Sequence, residues 1–180
     1  MKKEREQLSY ELKLFICNTT WTHKIQIKQA DIYKKKMDMY TWGKILSSVL
    51  TSLGIGSKVF LNWKYSGEIS FSLSLITIFI STISEHLDYY KLYIETKDHS
   101  DKIRRIRDKA LSLLSNLKFE TKELQDIDRQ FERLMTIKNE LYDNLNNPLA
   151  KAIVMAEQGL ENGERNYDDL DTFIPKYLKE

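Results

Sequence analysis

The sequence predicts an all-α chain. Residues 1–40 read as an amphipathic N-terminal helix, 41–87 as a two-helix transmembrane hairpin, 88–146 as cytoplasmic coiled-coil helices, and 147–180 as a C-terminal helix with an acidic tail. Three observations predict this. Two apolar runs, TWGKILSSVLTSLGIGSKVFLNW and ISFSLSLITIFISTIS, are joined by the short connector KYSGE. On both sides of them apolar residues recur every three or four positions, the period of a helix with one buried face. Only 6 glycines and 2 prolines interrupt 180 residues, and no stretch alternates as a strand does between turn residues.

Before the first run, Leu8, Leu12, Phe15, Ile16, Thr19, Ile25 and Ile32 share a face, with Lys13, Lys24, Lys28 and the cluster Lys34, Lys35 and Lys36 between them. No proline, and no glycine before Gly43, separates this helix from the run that follows, so the two are expected to be continuous. The lysine cluster reads either as a solvated face or, the preferred reading, as a juxtamembrane anion contact and topology signal.

Tyr40 to Trp63 is 24 residues, about 36 Å of helix, enough for a hydrocarbon core of about 30 Å. Ile69 to Ser84 has no charge but only 16 residues, about 24 Å, and must borrow Ser66 to Glu68 and Glu85 to Leu87 to cross. Core helices of a soluble bundle would also show runs of this length. The flanks argue for a membrane. Lys44 and Lys58 lie near opposite ends of the first run, where the ammonium group reaches the interface while the stem stays in the apolar layer. Tyr40, Trp42, Trp63 and Tyr65 bracket that run, and Tyr89, Tyr90 and Tyr93 follow the second, as aromatic belts do. Ten Lys/Arg occur up to Lys44, and Lys91, Lys97, Lys102, Arg104, Arg105, Arg107 and Lys109 follow the second run, against Lys64 alone in the connector. Both termini are therefore expected on the cytoplasmic side. The single Cys17 allows no intramolecular disulfide, which fits a reducing compartment.

After the hairpin, HLDYYKLYIETKDH is expected to carry the second helix onward. Ile103, Ile106, Ala110, Leu113 and Leu117 follow a 3-4 repeat, and Leu124, Ile127, Phe131, Leu134, Leu141 and Leu145 continue it with Lys138 in one slot. KFETKE between them is either a helical-hairpin turn or a skip in one long helix. Asn147 suits an N-cap with Pro148 at the first helical position. The last helix is expected to run to about Glu161 on Leu149, Ala152, Ile153, Ala156 and Leu160, with Asn162-Gly163 as its stop. The tail NYDDLDTFIPKYLKE reads as a partner-docking segment or a loosely held terminus. Residues 1–119 hold 20 Lys/Arg against 12 Asp/Glu and residues 120–180 hold 8 against 14. One half thus suits anionic lipid or a nucleotide and the other a protein, unless both are ordinary solvated surface.

The chemistry of catalysis is not visible. His23, His86 and His99 are far apart, and none stands near another His or a Cys at metal-ligand spacing. Gly54-Ile55-Gly56 lies inside an apolar run without a following G-K-[ST], so it is no phosphate loop. Neither an enzyme nor a cofactor is expected. What stands out is polar patterning inside the spans. At 100° per residue Ser70, Ser74, Thr77, Ser81 and Ser84 share one face of the second helix, and Lys44, Ser48, Thr51, Lys58 and Asn62 one arc of the first. Ser48, Ser52 and Gly56 form a small-xxx-small row that permits close helix packing in lipid. The hydroxyl face either bonds across a helix interface or lines an aqueous path in an oligomer, since two spans cannot enclose a pore alone.

The segments TTWTHKIQIKQADIYKKK, the two Ser-rich spans with their short connector, and EHLDYYKLYIETKDHSDKIRRIRDKALSLLSNL together resemble the SLATT family of small bacterial two-span proteins, over roughly residues 8–160. The resemblance implies a membrane effector encoded beside nucleotide second-messenger synthases or reverse transcriptases in anti-phage systems. It implies a homo-oligomeric pore in the bacterial inner membrane that arrests the infected cell, and no direct nucleic-acid binding. The hydroxyls of Ser70, Ser74, Thr77, Ser81 and Ser84 would then line the path, and Lys102, Arg104, Arg105 and Arg107 would contact membrane or signal. Family members often carry Arg where this chain has Lys24, Lys28 and Lys34; lysine keeps the charge but lacks the bidentate fork. A non-conducting scaffold, recruiting a soluble partner through the 103–145 seam, is the alternative; a soluble helical adaptor is a third reading.

Overall fold

A computed structural model describes residues 2–61, 64–159 and 174–178, with side chains described outside 56–63. All regular structure among these residues is helical: α1 Lys2–Leu61, α2 Ser66–Leu87, α3 Tyr89–Lys118, α4 Leu124–Asp143, α5 Ala150–Gly159, and a 3-10 turn Lys176–Leu178. The chain forms two compact units. One, the bundle unit, joins Met1–Ala30 to Ile94–Glu180; the other, the hairpin unit, is Asp31–Tyr93. The passage from one unit to the other lies inside α1 and inside α3.

The bundle unit is built from the 3-4 seams. Leu8, Leu12, Phe15 and Ile16 of α1 meet Ile106, Ala110, Leu113, Leu114 and Leu117 of α3 and Ile127, Phe131 and Leu134 of α4 in one core. Full burial of side chains such as Leu12, Ile103 and Ile127 contributes about 1.5–3 kcal/mol each. Phe15 and Phe131 meet edge to face, with centroids 5.4 Å apart. Lys138, the charged slot in the seam, lays its ammonium 5.5 Å from the ring centroids of both Phe15 and Tyr142, so it closes the seam by cation–π contact.

Between the two seams the structure chooses the turn. Glu120 takes a left-handed φ of 53°, and Thr121 N–H reaches back to the Asn116 carbonyl at 3.1 Å, a Schellman ending for α3. Arg5 of α1 pairs with Glu120 at that corner.

Two expectations shift. The second helix does not run on unbroken: Asp88, at φ 33°, ends α2, and its carboxylate accepts the Lys91 N–H at 3.0 Å to cap α3. Aspartate tolerates this conformation because its short side chain bonds locally. The last helix begins past Pro148, and Asn147 does not cap it. Instead Gln29 of α1 accepts the Leu149 N–H at 3.1 Å and reaches the Asn147 carbonyl at 3.5 Å. The stop expected at Asn162-Gly163 lies outside the described residues, as do Asn62 and Trp63.

Candidate functional site

The hairpin unit turns its polar side inward. On α2, Ser66 and Ser70 are buried, and Ser74, Thr77, Ser81 and Ser84 are half-buried. On α1 the matching stripe is Gly43, Ser47, Thr51 and Gly54: Ser47 is buried and the others half-buried. Gly54 marks the closest approach. A Cβ there would fall on Ser70 Oγ and lie 3.8 Å from the Ser66 carbonyl, whereas one on Gly43 would sit 3.7 Å from Ile80, an ordinary contact. The hydroxyls need no partner across the interface. Ser70 donates to the Ser66 carbonyl at 2.7 Å, Thr77 to Leu73 at 2.8 Å and Thr51 to Ser47 at 2.8 Å, so each is satisfied on its own helix. Outside, Trp42, Leu46, Leu53, Phe71, Ile78 and Phe79 are exposed, the reverse of a soluble core helix. Ser48 and Ser52 lie on this outer surface. By length and composition the run from Ser66 to Lys118 contains a stretch able to cross a membrane, only 11% of it buried.

A clamp closes the hairpin where α2 ends. Tyr89, next to the Asp88 break, stacks on Tyr40 at 5.6 Å and lies 6.3 Å from Tyr33, centroid to centroid. Lys36 Nζ stands 5.0 Å from the Tyr89 ring centroid and 3.4 Å from its hydroxyl. Lys34 and Lys35 are exposed. In the bundle unit Lys102 pairs with Asp98 at 2.6 Å, Arg104 with Asp101 at 3.7 Å and Arg107 with Asp108 at 2.8 Å, while Arg105 is exposed. Three of the four cations expected to contact membrane or signal thus carry an aspartate beside them.

The bundle unit also holds a polar layer. Thr19, Gln26 and Gln29 of α1 and Thr96 and Ser100 of α3 are buried, and His23 and His99 are half-buried. Thr19 bonds its own helix at the Phe15 carbonyl, 2.8 Å. Gln26 Oε1, Thr96 Oγ1, His99 Nδ1 and Ser100 Oγ have no hydrogen-bond partner among the described residues. Unpaired buried groups each cost about 1–3 kcal/mol.

The model of the SMODS and SLOG-associating 2TM effector domain family 4 matches residues 8–169. This chain belongs to the SLATT family. No curated protein matches it, and no solved structure does. The match covers both units of the SLATT domain, from Leu8 at the start of the core to beyond α5.

Within this SLATT domain the structure brings Ser70, Ser74, Thr77, Ser81 and Ser84 together on the face that packs on α1, and places Ser48 and Ser52 outside it; the side of Gly56 lies outside the described side chains. Sequence reasoning missed the stripe of Gly43, Ser47 and Gly54, the Tyr89 clamp and the polar layer. Spacing of four and seven between Gly43, Ser47 and Gly54 was the available signal.

His23 gives the layer a pH dependence. Burial first, then the cations Arg107 and Arg104, push its pKa down to about 4; Asp101 opposes and Lys97 adds to the lowering. The imidazole is neutral at pH 7. Because the unfolded pKa is about 6.5, stability is full above that value and falls as pH drops from about 6.5 toward 4. Thermal unfolding followed by circular dichroism is expected to show a melting temperature falling over that window, and a shallower fall in His23→Gln. An equal slope in both proteins would show that His23 is not the titrating group.

Proposed function

We propose that the chain is a pore-forming membrane effector of a bacterial anti-phage system, acting as a homo-oligomer without catalysis or cofactor. Membership of a two-transmembrane effector family supports the membrane effector role. The observation that carries the finer reading is the inverted hairpin, with hydroxyls packed inside and large apolar side chains outside. Such a surface suits lipid, and polar faces inside a membrane point to protein or water. Because Ser70, Thr77 and Thr51 bond their own helices, they are sheltered at rest and ready to face water when helices of several copies repack. One hairpin cannot enclose a path, so opening requires an assembly.

The trigger acts on the cytoplasmic helices: a nucleotide second messenger, or a co-encoded nucleotide synthase or reverse transcriptase. Direct nucleic-acid binding is not part of the proposal. Both termini face the cytoplasm, as the flanking lysines and arginines require. The boundary between units falls inside α1 and inside α3, and α1 alone continues unbroken into a span. The scaffold reading is less well supported, since Ile103, Ile106, Ala110, Leu113 and Leu117 are already buried within the protomer and offer a partner no seam.

The combined variant Ser74→Ala, Thr77→Val and Ser81→Ala removes three hydroxyls while nearly keeping volume. In vesicles carrying a trapped dye, induced release is expected to slow about tenfold, with insertion unchanged. Release at the original rate would remove these hydroxyls from the path.

A further inference from the structure

The last described residues are anchored. Ile174 and Leu178, each 3% exposed, enter the same core cluster as Leu8, Leu12, Leu114, Leu117 and Ile127. Between them Leu178 N–H turns back to the Pro175 carbonyl at 2.8 Å, forming the 3-10 turn, and Lys118 Nζ donates to the Tyr177 carbonyl at 2.8 Å. Lys118 is the last residue of α3, and the Arg5–Glu120 pair puts the start of α1 at the same corner. The segment therefore covers the end of the bundle where α1 begins and α3 stops. The tail expected to dock on a partner or hang loose is, at residues 174–178, docked on its own chain.

We propose that residues 174–178 are a releasable clasp: docked, they hold the resting packing of the bundle, and released, they let its helices repack. Among the described residues it is held by two buried side chains and one lysine hydrogen bond, set against the entropy of ordering five residues whose regular structure is one 3-10 turn. Its leverage is large. Ile174 and Leu178 complete a core shared by α1, α3 and α4, and their departure leaves a gap that the three helices close only by shifting. The consequence for the membrane rests on the pore reading; the clasp itself does not.

Cys17, the one cysteine of the chain, provides the measurement. It is buried in that same cluster, and burial raises its thiol pKa. In the full chain held in detergent, Ile174→Asp/Leu178→Asp is expected to speed modification of Cys17 by a maleimide about tenfold while far-ultraviolet helicity is kept. Labelling at the wild-type rate would overturn the clasp, and so would loss of helicity, which would make the segment a structural strut. Faster labelling in a protein that never alters membrane potential would keep the clasp and sink the pore. Unchanged labelling beside a wild type that does collapse the potential would do the opposite.

Discussion

Gly54→Leu is expected to force the hairpin apart. At this position α1 approaches α2 so closely that even a methyl group would fall on Ser70 Oγ and stand 3.5 Å from Ser70 Cβ. Ser70 cannot simply swing away at no cost, because its hydroxyl is held on the Ser66 carbonyl at 2.7 Å and the residue is buried. Overpacking a tight contact costs about 1–3 kcal/mol, and a leucine against backbone belongs at the upper end. Gly43 tolerates a side chain and can carry the probe, since a Cβ there would meet only Ile80 side-chain carbons at 3.7 and 3.9 Å. The readout is disulfide formation in Gly43→Cys/Ile80→Cys with Cys17→Ser as background. Adding Gly54→Leu is expected to reduce the cross-link yield about tenfold, equivalent to about 1.4 kcal/mol against the closed hairpin. An unchanged yield would show that α1 and α2 do not approach through Gly54.

Thr96→Val/Ser100→Ala is expected to stabilise the protein and make it harder to trigger. Both hydroxyls are fully buried without a partner among the described residues. Removing such a group recovers about 1–3 kcal/mol of desolvation, and valine nearly keeps the shape of threonine. For a chain of 180 residues, a gain of about 2 kcal/mol raises the melting temperature by about 4–8 °C. The same gain deepens the resting state relative to any repacked one, so induced dye release is expected to need more trigger. A lowered melting temperature would mean that these hydroxyls contribute to the native bundle rather than weaken it.

The bundle was legible in the sequence because burial imposes a period. Ile103, Ile106, Ala110, Leu113 and Leu117 recur as one helical face must, and all are buried. Asp88 was not legible, since one residue entering the left-handed region leaves neither glycine nor proline as a mark. The start of α5 escaped for another reason: its N–H is satisfied by Gln29, more than a hundred positions away, rather than by a local cap. The hydroxyl face of α2 could be drawn from the helical period alone, but periodicity names faces and not their partners. Of the arc drawn on α1 through Lys44, Ser48 and Thr51, only Thr51 falls on the stripe of Gly43, Ser47, Thr51 and Gly54 that the structure uses. Charge and hydroxyl content drew attention to one side, while close packing depends on the absence of side chain on another. Ile174 and Leu178 lie in the acidic tail that read as a partner-docking segment or a loosely held terminus, and only the fold shows the core they enter.

Membrane potential in cells expressing the full chain, alone and with its genomic neighbour, tests the central claim most directly. With a potential-sensitive dye, the pore account predicts collapse under triggering in the wild type and a largely kept potential in the combined Ser74→Ala, Thr77→Val and Ser81→Ala variant. A steady potential in every condition, with the protein confirmed in the membrane fraction, would contradict it.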